Sequence, residues 1–139
     1  MVVPMKIHLE IVTPEAKTFS DEVDQVVLPG VEGEFGVLPG HEPLITQILP
    51  GELVVTKNGK NHYLAVGEGF VEVQSHRVSV LTDMAMRADD INETEVETAR
   101  KRAEEALSQK LTSEETASVQ AALQKSLAQL HVKRRRRSG

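Results

Sequence analysis

Cysteine and tryptophan are missing from this chain of 139 residues, and aromatic side chains make up only 3% of it. Without cysteine, neither a disulfide framework nor a thiolate metal site can form, and a reducing compartment is compatible with the sequence. With so few rings, the 40% of apolar residues must build an aliphatic core. Long hydrophobic runs are missing as well. No stretch approaches the roughly 18 apolar residues of a membrane span, and the opening from Met1 to Lys6 has no apolar signal run. The expected molecule is soluble and still able to sit on a membrane complex.

What is present is unevenly distributed. All six prolines lie before residue 51, and eight of the nine glycines before residue 70. Beyond Met86 the chain is dominated by Ala, Glu, Lys, Arg, Gln and Leu, residues of good helix propensity. A domain boundary is placed near Met86 to Asp89, which gives a first domain over 1–86 and a second over 87–139. Charge divides in the same way. The first part holds five Lys and Arg against twelve Asp and Glu, the second eleven against nine, with five of the cations at Lys133 to Arg137. An acidic body argues against wholesale nucleic-acid binding, and no nucleic-acid partner is expected.

The first domain reads as strands. Met5, Ile7, Leu9 and Ile11 alternate with Lys6, His8 and Glu10, the period of a half-buried strand. Val23 to Leu28 and Leu44 to Leu49 are further β-rich runs. Asn58-Gly59 between two apolar runs predicts a tight hairpin, because both residues tolerate positive φ. Phe70 to Gln74 and Arg77 to Thr82 follow as strands. Short strands at this spacing predict an all-antiparallel β-sandwich or a barrel. The second domain reads as two helices. A capping box at Asp90 to Glu93 opens a stripe of Val96, Ala99, Ala103 and Ala106 or Leu107, with an outward Glu97–Lys101 pair. A second box at Thr112 to Glu115 opens a stripe of Val119, Ala122, Leu123, Leu127 and Leu130. The short link predicts an antiparallel helical hairpin. The fold class is therefore α+β. Alanine buries little area, so the hairpin relies on a neighbour. On composition alone, a switch and a permanently docked appendage fit equally well.

The segment Val27 to Leu44, VLPGVEGEFGVLPGHEPL, concentrates four glycines and three prolines around large apolar residues. Glycine permits positive φ and proline fixes φ, so this reads as a shaped turn assembly. Glu32, Glu34, Phe35, Pro39, His41 and Glu42 are its candidate partner-binding residues. On residue type alone Glu34 and His41 read as solvated loop residues, and Lys133 to Arg137 as a solvated basic tail. The five histidines show no ligand spacing, and Gly67-Glu68-Gly69 lacks the Gly-Lys-Ser/Thr of a phosphate loop. No Ser-His-Asp set or carboxylate pair can be argued, and no enzyme, metal or cofactor is expected.

The run PGVEGEFGVLPGHEPL, the acidic β-rich body and the alanine-rich helical hairpin together resemble one family. It is the epsilon subunit of bacterial and chloroplast F-type ATP synthases, related to the mitochondrial delta subunit. Ile11 to Glu15 with Phe19-Ser20, Leu64 to Glu72, Val78 to Asp83 and Arg102 to Glu105 fit it as well, so the resemblance covers essentially the whole chain. It implies a non-catalytic rotor part, peripheral on the cytoplasmic face of the bacterial inner membrane. The sandwich would bind the gamma subunit and rest on the loops of the c-ring through Glu34, His41 and the backbone between Gly33 and Gly40. The hairpin would dock on the sandwich or extend along gamma towards the catalytic beta and alpha subunits, where Lys133, Arg134, Arg135, Arg136 and Arg137 would meet an acidic segment and inhibit ATP hydrolysis. Some members bind ATP through a motif of the form Ile/Leu-Asp-x-x-Arg-Ala. The matching stretch runs from Ile91 to Val96, with Asn92 in place of the acid and Glu95 in place of the arginine, and with Arg100 and Arg102 nearby. A carboxylate repels phosphate, so no nucleotide cofactor is expected. The alternative, drawn from the residues alone, is a freestanding sandwich module with a polybasic tail for an acidic or nucleic-acid partner.

Overall fold

The computed structural model describes residues 5–15 and 17–136, with the side chains at 17 and 18 set aside. Among the described residues ten strands precede two helices. The strands are β1 (Ile7–Val12), β2 (Lys17–Val23), β3 (Gln25–Gly30), β4 (Gly33–Val37), β5 (Leu44–Ile48), β6 (Gly51–Lys57), β7 (Lys60–Val66), β8 (Gly69–Val73), β9 (Arg77–Thr82) and β10 (Ala85–Arg87). A single 3-10 turn, Ala88–Asp90, leads to α1 (Glu93–Leu107) and α2 (Ser113–Arg136).

The strands hydrogen-bond in the order β10-β7-β6-β3-β5-β8-β9-β1-β2, with β4 on the other side of β3. This sheet folds over on itself about one aliphatic layer, with β10 and β2 at its two ends. Ile7, Leu9 and Ile11 of β1 meet Val71, Val73, Val78 and Val80 of β8 and β9, and across the layer Val26, Leu28, Leu53, Val55, Leu64 and Val66. All of these are buried, and in β1 and β8 they alternate with the polar His8, Glu10 and Glu72, the period-2 pattern of the sequence, whereas β3, β6 and β7 set Val27, Val54 and Ala65 on the opposite face. The two halves form a sandwich.

Three features correct the sequence expectation. The sandwich is not entirely antiparallel: β1 runs parallel to β9, from His8 opposite Arg77 to Val12 opposite Leu81. Parallel neighbours need a long crossover, and here the intervening strands supply it. Gly33–Val37 is a strand where the sequence suggested only turns, because its backbone completes the ladder of β3 from Val26–Val37 to Gly30–Gly33. The short β10 beside β7 carries no periodicity long enough to read. The Asn-Gly hairpin stands as expected, with φ of 52° at Asn58 and 78° at Gly59.

The helices pack antiparallel and lie on the outer face of the β6–β7 half. Ala65, with Tyr63 and Met86 at its margin, meets Ala88, Ile91, Val96, Leu130 and Val132 in a second apolar cluster. The cap of α1 is Asn92, whose Oδ1 accepts the Glu95 N–H at 3.1 Å, not Asp90, which falls in the 3-10 turn. The second capping box forms as expected: Glu115 N–H donates to Thr112 Oγ1 and Thr112 N–H to Glu115 Oε1, both at 3.1 Å. Ala99, Ala122 and Leu127 are exposed rather than buried in their stripes. Helix α2 has two neighbours, so burial reaches Ala128 and Val132 as well as Leu130. Glu97 pairs with Arg100 and Arg134 in place of Lys101.

Two ion pairs pin the β2–β3 corner: Lys57 with Asp21, and Lys6 with Asp24. The lysine hydrogen bonds hold both carboxyls below their ordinary value of 3.8. A lowered folded-state pKa stabilises the fold above the unfolded value and ceases to do so as pH falls through the depressed one. Thermal midpoints measured from pH 7 downward are expected to fall below pH 3.8. A K6M/K57M variant should show a shallower fall over the same window.

Candidate functional site

The Gly-Pro segment forms one rim of the sandwich. Strand β3 ends at Pro29-Gly30, Val31 and Glu32 make the turn, and β4 returns. Gly33, at φ 120°, and Gly40, at φ 89°, occupy backbone that other residues rarely adopt. Gly30 is needed for a different reason. A Cβ there would lie 2.8 Å from the Gly33 carbonyl oxygen and 2.8 Å from the Phe35 ring. Phe35 therefore lies against Gly30 and packs on the core, so it fixes the rim's shape.

Hydrogen bonds tie this rim to the other half of the sandwich. Val31 N–H donates to the Gln47 carbonyl at 3.0 Å, Leu49 N–H to the Pro29 carbonyl at 2.8 Å, and Gly40 N–H to the Ser75 carbonyl at 2.7 Å. His41 N–H closes a turn onto the Leu38 carbonyl at 3.2 Å, and its Nδ1 donates to the Glu42 carbonyl at 2.7 Å. Glu32, Glu34 and Glu42 are exposed, and Phe35, Pro39 and His41 are half-buried. The structure thus presents carboxylates and one imidazole on a rigid backbone. Ser75, which the sequence marks as a turn residue, anchors Gly40 from the β8–β9 turn, a contact that no local pattern announced.

A second surface escaped sequence reasoning. Ile45, Phe70 and Leu81 are 71%, 58% and 57% exposed. Phe70 pairs with Leu81 on one side and with Gln47 on the other, and Ile45 lies two residues from Gln47, so the three form one patch on the outside of the β5–β8–β9 half. Contiguous apolar exposure of this kind is a candidate interaction surface. Phe70, at the outward position that Glu72 continues in the alternation Phe70-Val71-Glu72-Val73, was the available signal.

The basic end of α2 is engaged. Lys133 Nζ donates to the Ala88 carbonyl at 3.1 Å. Arg134 reaches Glu97 at 2.8 Å and Glu93 at 3.5 Å. Arg136 grips Glu52 with two bonds, Nε to Oε2 at 3.0 Å and Nη2 to Oε1 at 2.6 Å, and its guanidinium lies 3.7 Å from the Tyr63 ring centroid. Arg135 stands 3.6 Å from the same carboxylate. Glu52 pushes the Arg136 pKa up from its ordinary value. Arg137 lies outside the described residues.

The residues of the degenerate nucleotide motif do not converge. Ile91 is buried in the apolar cluster, Asn92 caps α1, and Glu95 is exposed. Arg100 bonds Glu97 and, at 2.6 Å, Glu104, and these carboxylates raise its pKa. A cleft of about 780 Å³ lined by Arg100, His131 and Arg134 lies between the helices, with Glu97 paired to both arginines.

The family model described as ATP synthase, delta/epsilon chain, beta-sandwich domain matches residues 6–88, and that for the long alpha-helix domain of the same chain matches residues 89–134. A protein named ATP synthase epsilon chain from Herpetosiphon aurantiacus is 46% identical over 134 residues, covering 96% of this chain and 98% of that one. Its namesake from Chloroflexus aggregans is 44% identical, covering 96% of this chain and 100% of that one. Among solved structures, a chain of the Euglena gracilis mitochondrial ATP synthase, seen by cryo-EM with OSCP, F1 and c-ring, superposes with a TM-score of 0.72 at 26% identity, over 92% of this chain and 81% of that one.

Replacing Gly30 by alanine is expected to cost about 1–3 kcal/mol in denaturant unfolding, since the Phe35 ring must move. The double variant E34A/H41A should unfold within about 0.5 kcal/mol of the parent, because neither side chain is buried.

Proposed function

Because the chain belongs to the delta/epsilon family of F-type ATP synthase subunits, as an epsilon-type member, we propose a specific division of labour within the central stalk. The β5–β8–β9 face, with Ile45, Phe70 and Leu81, seats against the gamma subunit. The glycine-proline rim stands on the polar loops of the c-ring through Glu34 and His41, with Glu32 and Glu42 beside them. The sandwich so held passes ring rotation to the catalytic head and does no chemistry itself. The helical hairpin leaves the sandwich and extends towards the catalytic beta and alpha subunits, where its basic end opposes ATP hydrolysis. The chain is then peripheral on the cytoplasmic face of the inner membrane. Among the described residues no helix is long and apolar enough to cross a bilayer.

One observation carries this reading: the two outer faces of the sandwich are unequal. The β6–β7 face is covered by the chain's own helices, and the β5–β8–β9 face leaves Phe70 and Leu81 to water. An apolar face on a stalk subunit fits a permanent neighbour, whereas polar groups on preset turns fit a surface of short polar loops.

Phe70→Glu places a charge in the apolar patch and should release the subunit from the purified complex on size exclusion. E34A/H41A should weaken retention on the ring while keeping affinity for gamma. Unchanged retention of both variants would refute the assignment of faces. A form ending at Val132 should assemble normally and relieve inhibition of ATP hydrolysis. Equal inhibition by that form would remove the tail from the mechanism.

A further inference from the structure

The ion pairs of the helical hairpin are of two kinds. Arg134 with Glu93 and Glu97, and Arg100 with Glu97 and Glu104, lie wholly within the hairpin and travel with it. Arg136 and Arg135 with Glu52, and Lys125 with Asp83 at 3.4 Å, join the hairpin to the sandwich. Within this second group the Glu52 contact is of a different quality. Glu52 is 10% exposed and Arg136 24%, so solvent screens them weakly, and the fork-to-fork geometry engages both carboxylate oxygens. Tyr63 closes the other side of the guanidinium.

Glu52 stands on β6 opposite Ala65 of β7, and Tyr63 stands opposite Val54, so the acceptor and the ring occupy the same outer face. That face is the one α2 covers. The apolar part of the docking surface is small: Ala65, Ala88, Ile91, Leu130 and Val132 with half-buried margins. A small apolar contact leaves the docked position sensitive to one well-made charged contact.

We propose that Glu52, with Tyr63, is a latch that holds the hairpin docked by capturing Arg136, and that it competes directly with the inhibitory acceptor for the same basic residues. This rests on the reading above that the tail inhibits hydrolysis. Arg135 and Arg136 cannot serve the sandwich and a catalytic subunit at once. The latch therefore sets the threshold for inhibition from a residue outside the inhibitory contact. Removing Glu52 weakens docking alone. Removing Arg136 weakens docking and inhibition together.

The chain's lack of cysteine makes the test direct. Spin labels at Lys60→Cys and Gln109→Cys, both exposed positions, report the hairpin's position in the full-length protein. Glu52→Gln is expected to raise the undocked population roughly tenfold, as loss of a charged hydrogen-bonded pair implies. Arg136→Met should do the same, and the charge swap E52R/R136E should restore docking, which a merely structural effect at either site would not. In the assembled enzyme Glu52→Gln should deepen inhibition of ATP hydrolysis and Arg136→Met should not. Identical label distances in the parent and both single variants would overturn the latch. Undocking by Glu52→Gln with unchanged hydrolysis would uphold the latch and refute the inhibitory role of the tail.

Discussion

The folding of one ten-stranded sheet over an aliphatic layer is the constraint on which everything else depends. Valine, leucine and isoleucine fill the space between the two halves, and only Phe19 and the margin of Phe35 bring rings to it. Branched aliphatic side chains are stiff and pack at a nearly constant thickness, so the two outer faces are held at fixed separation and orientation. The rim, the apolar patch and the helix-bearing face are all read out from that frame. Each is a surface on the same rigid body, which suits a part that must transmit torque without deforming.

The helical domain has the opposite character. Its first helix buries only Val96 and Ala103, and much of its order comes from caps and ion pairs. Such contacts are local and exchange readily with water or with another charged surface. Joined to the frame by a 3-10 turn and a small apolar seam, the hairpin is the element of lowest cohesion in the chain. Rigidity and looseness thus follow from two vocabularies, one rich in β-branched residues and the other in alanine and charge.

Much of this was legible in the residues. The alternation from Ile7 to Ile11, the Asn58-Gly59 turn and the Thr112–Glu115 box each stated their structure locally, because a single element decides each one. Strand β4 was hidden because Gly33, Glu34 and Gly36 have poor intrinsic strand preference and β3 alone imposes the pairing. The cap shifted from Asp90 to Asn92 because the 3-10 turn took up the intervening residues. The apolar patch and the Glu52–Arg136 contact join residues far apart in the chain, and no local pattern encodes a distance. The glycine-proline rim was conspicuous from the start, yet its anchor at Ser75 was not.

The parallel pairing of β1 with β9 has a consequence for biogenesis. Strand β1 precedes the other strands in synthesis, but one of its two neighbours is not complete until Thr82 has been added. Until then Ile7, Leu9 and Ile11 have only a hairpin partner and no complete layer to enter. Non-local pairing of this sort is slow to form and leaves apolar strands open to stray association. The helices emerge afterwards, when the frame they dock on is already closed. The order of synthesis thus gives the hairpin a finished face to dock on, and a nascent chain halted before Thr82 would leave the apolar residues of β1 without their layer.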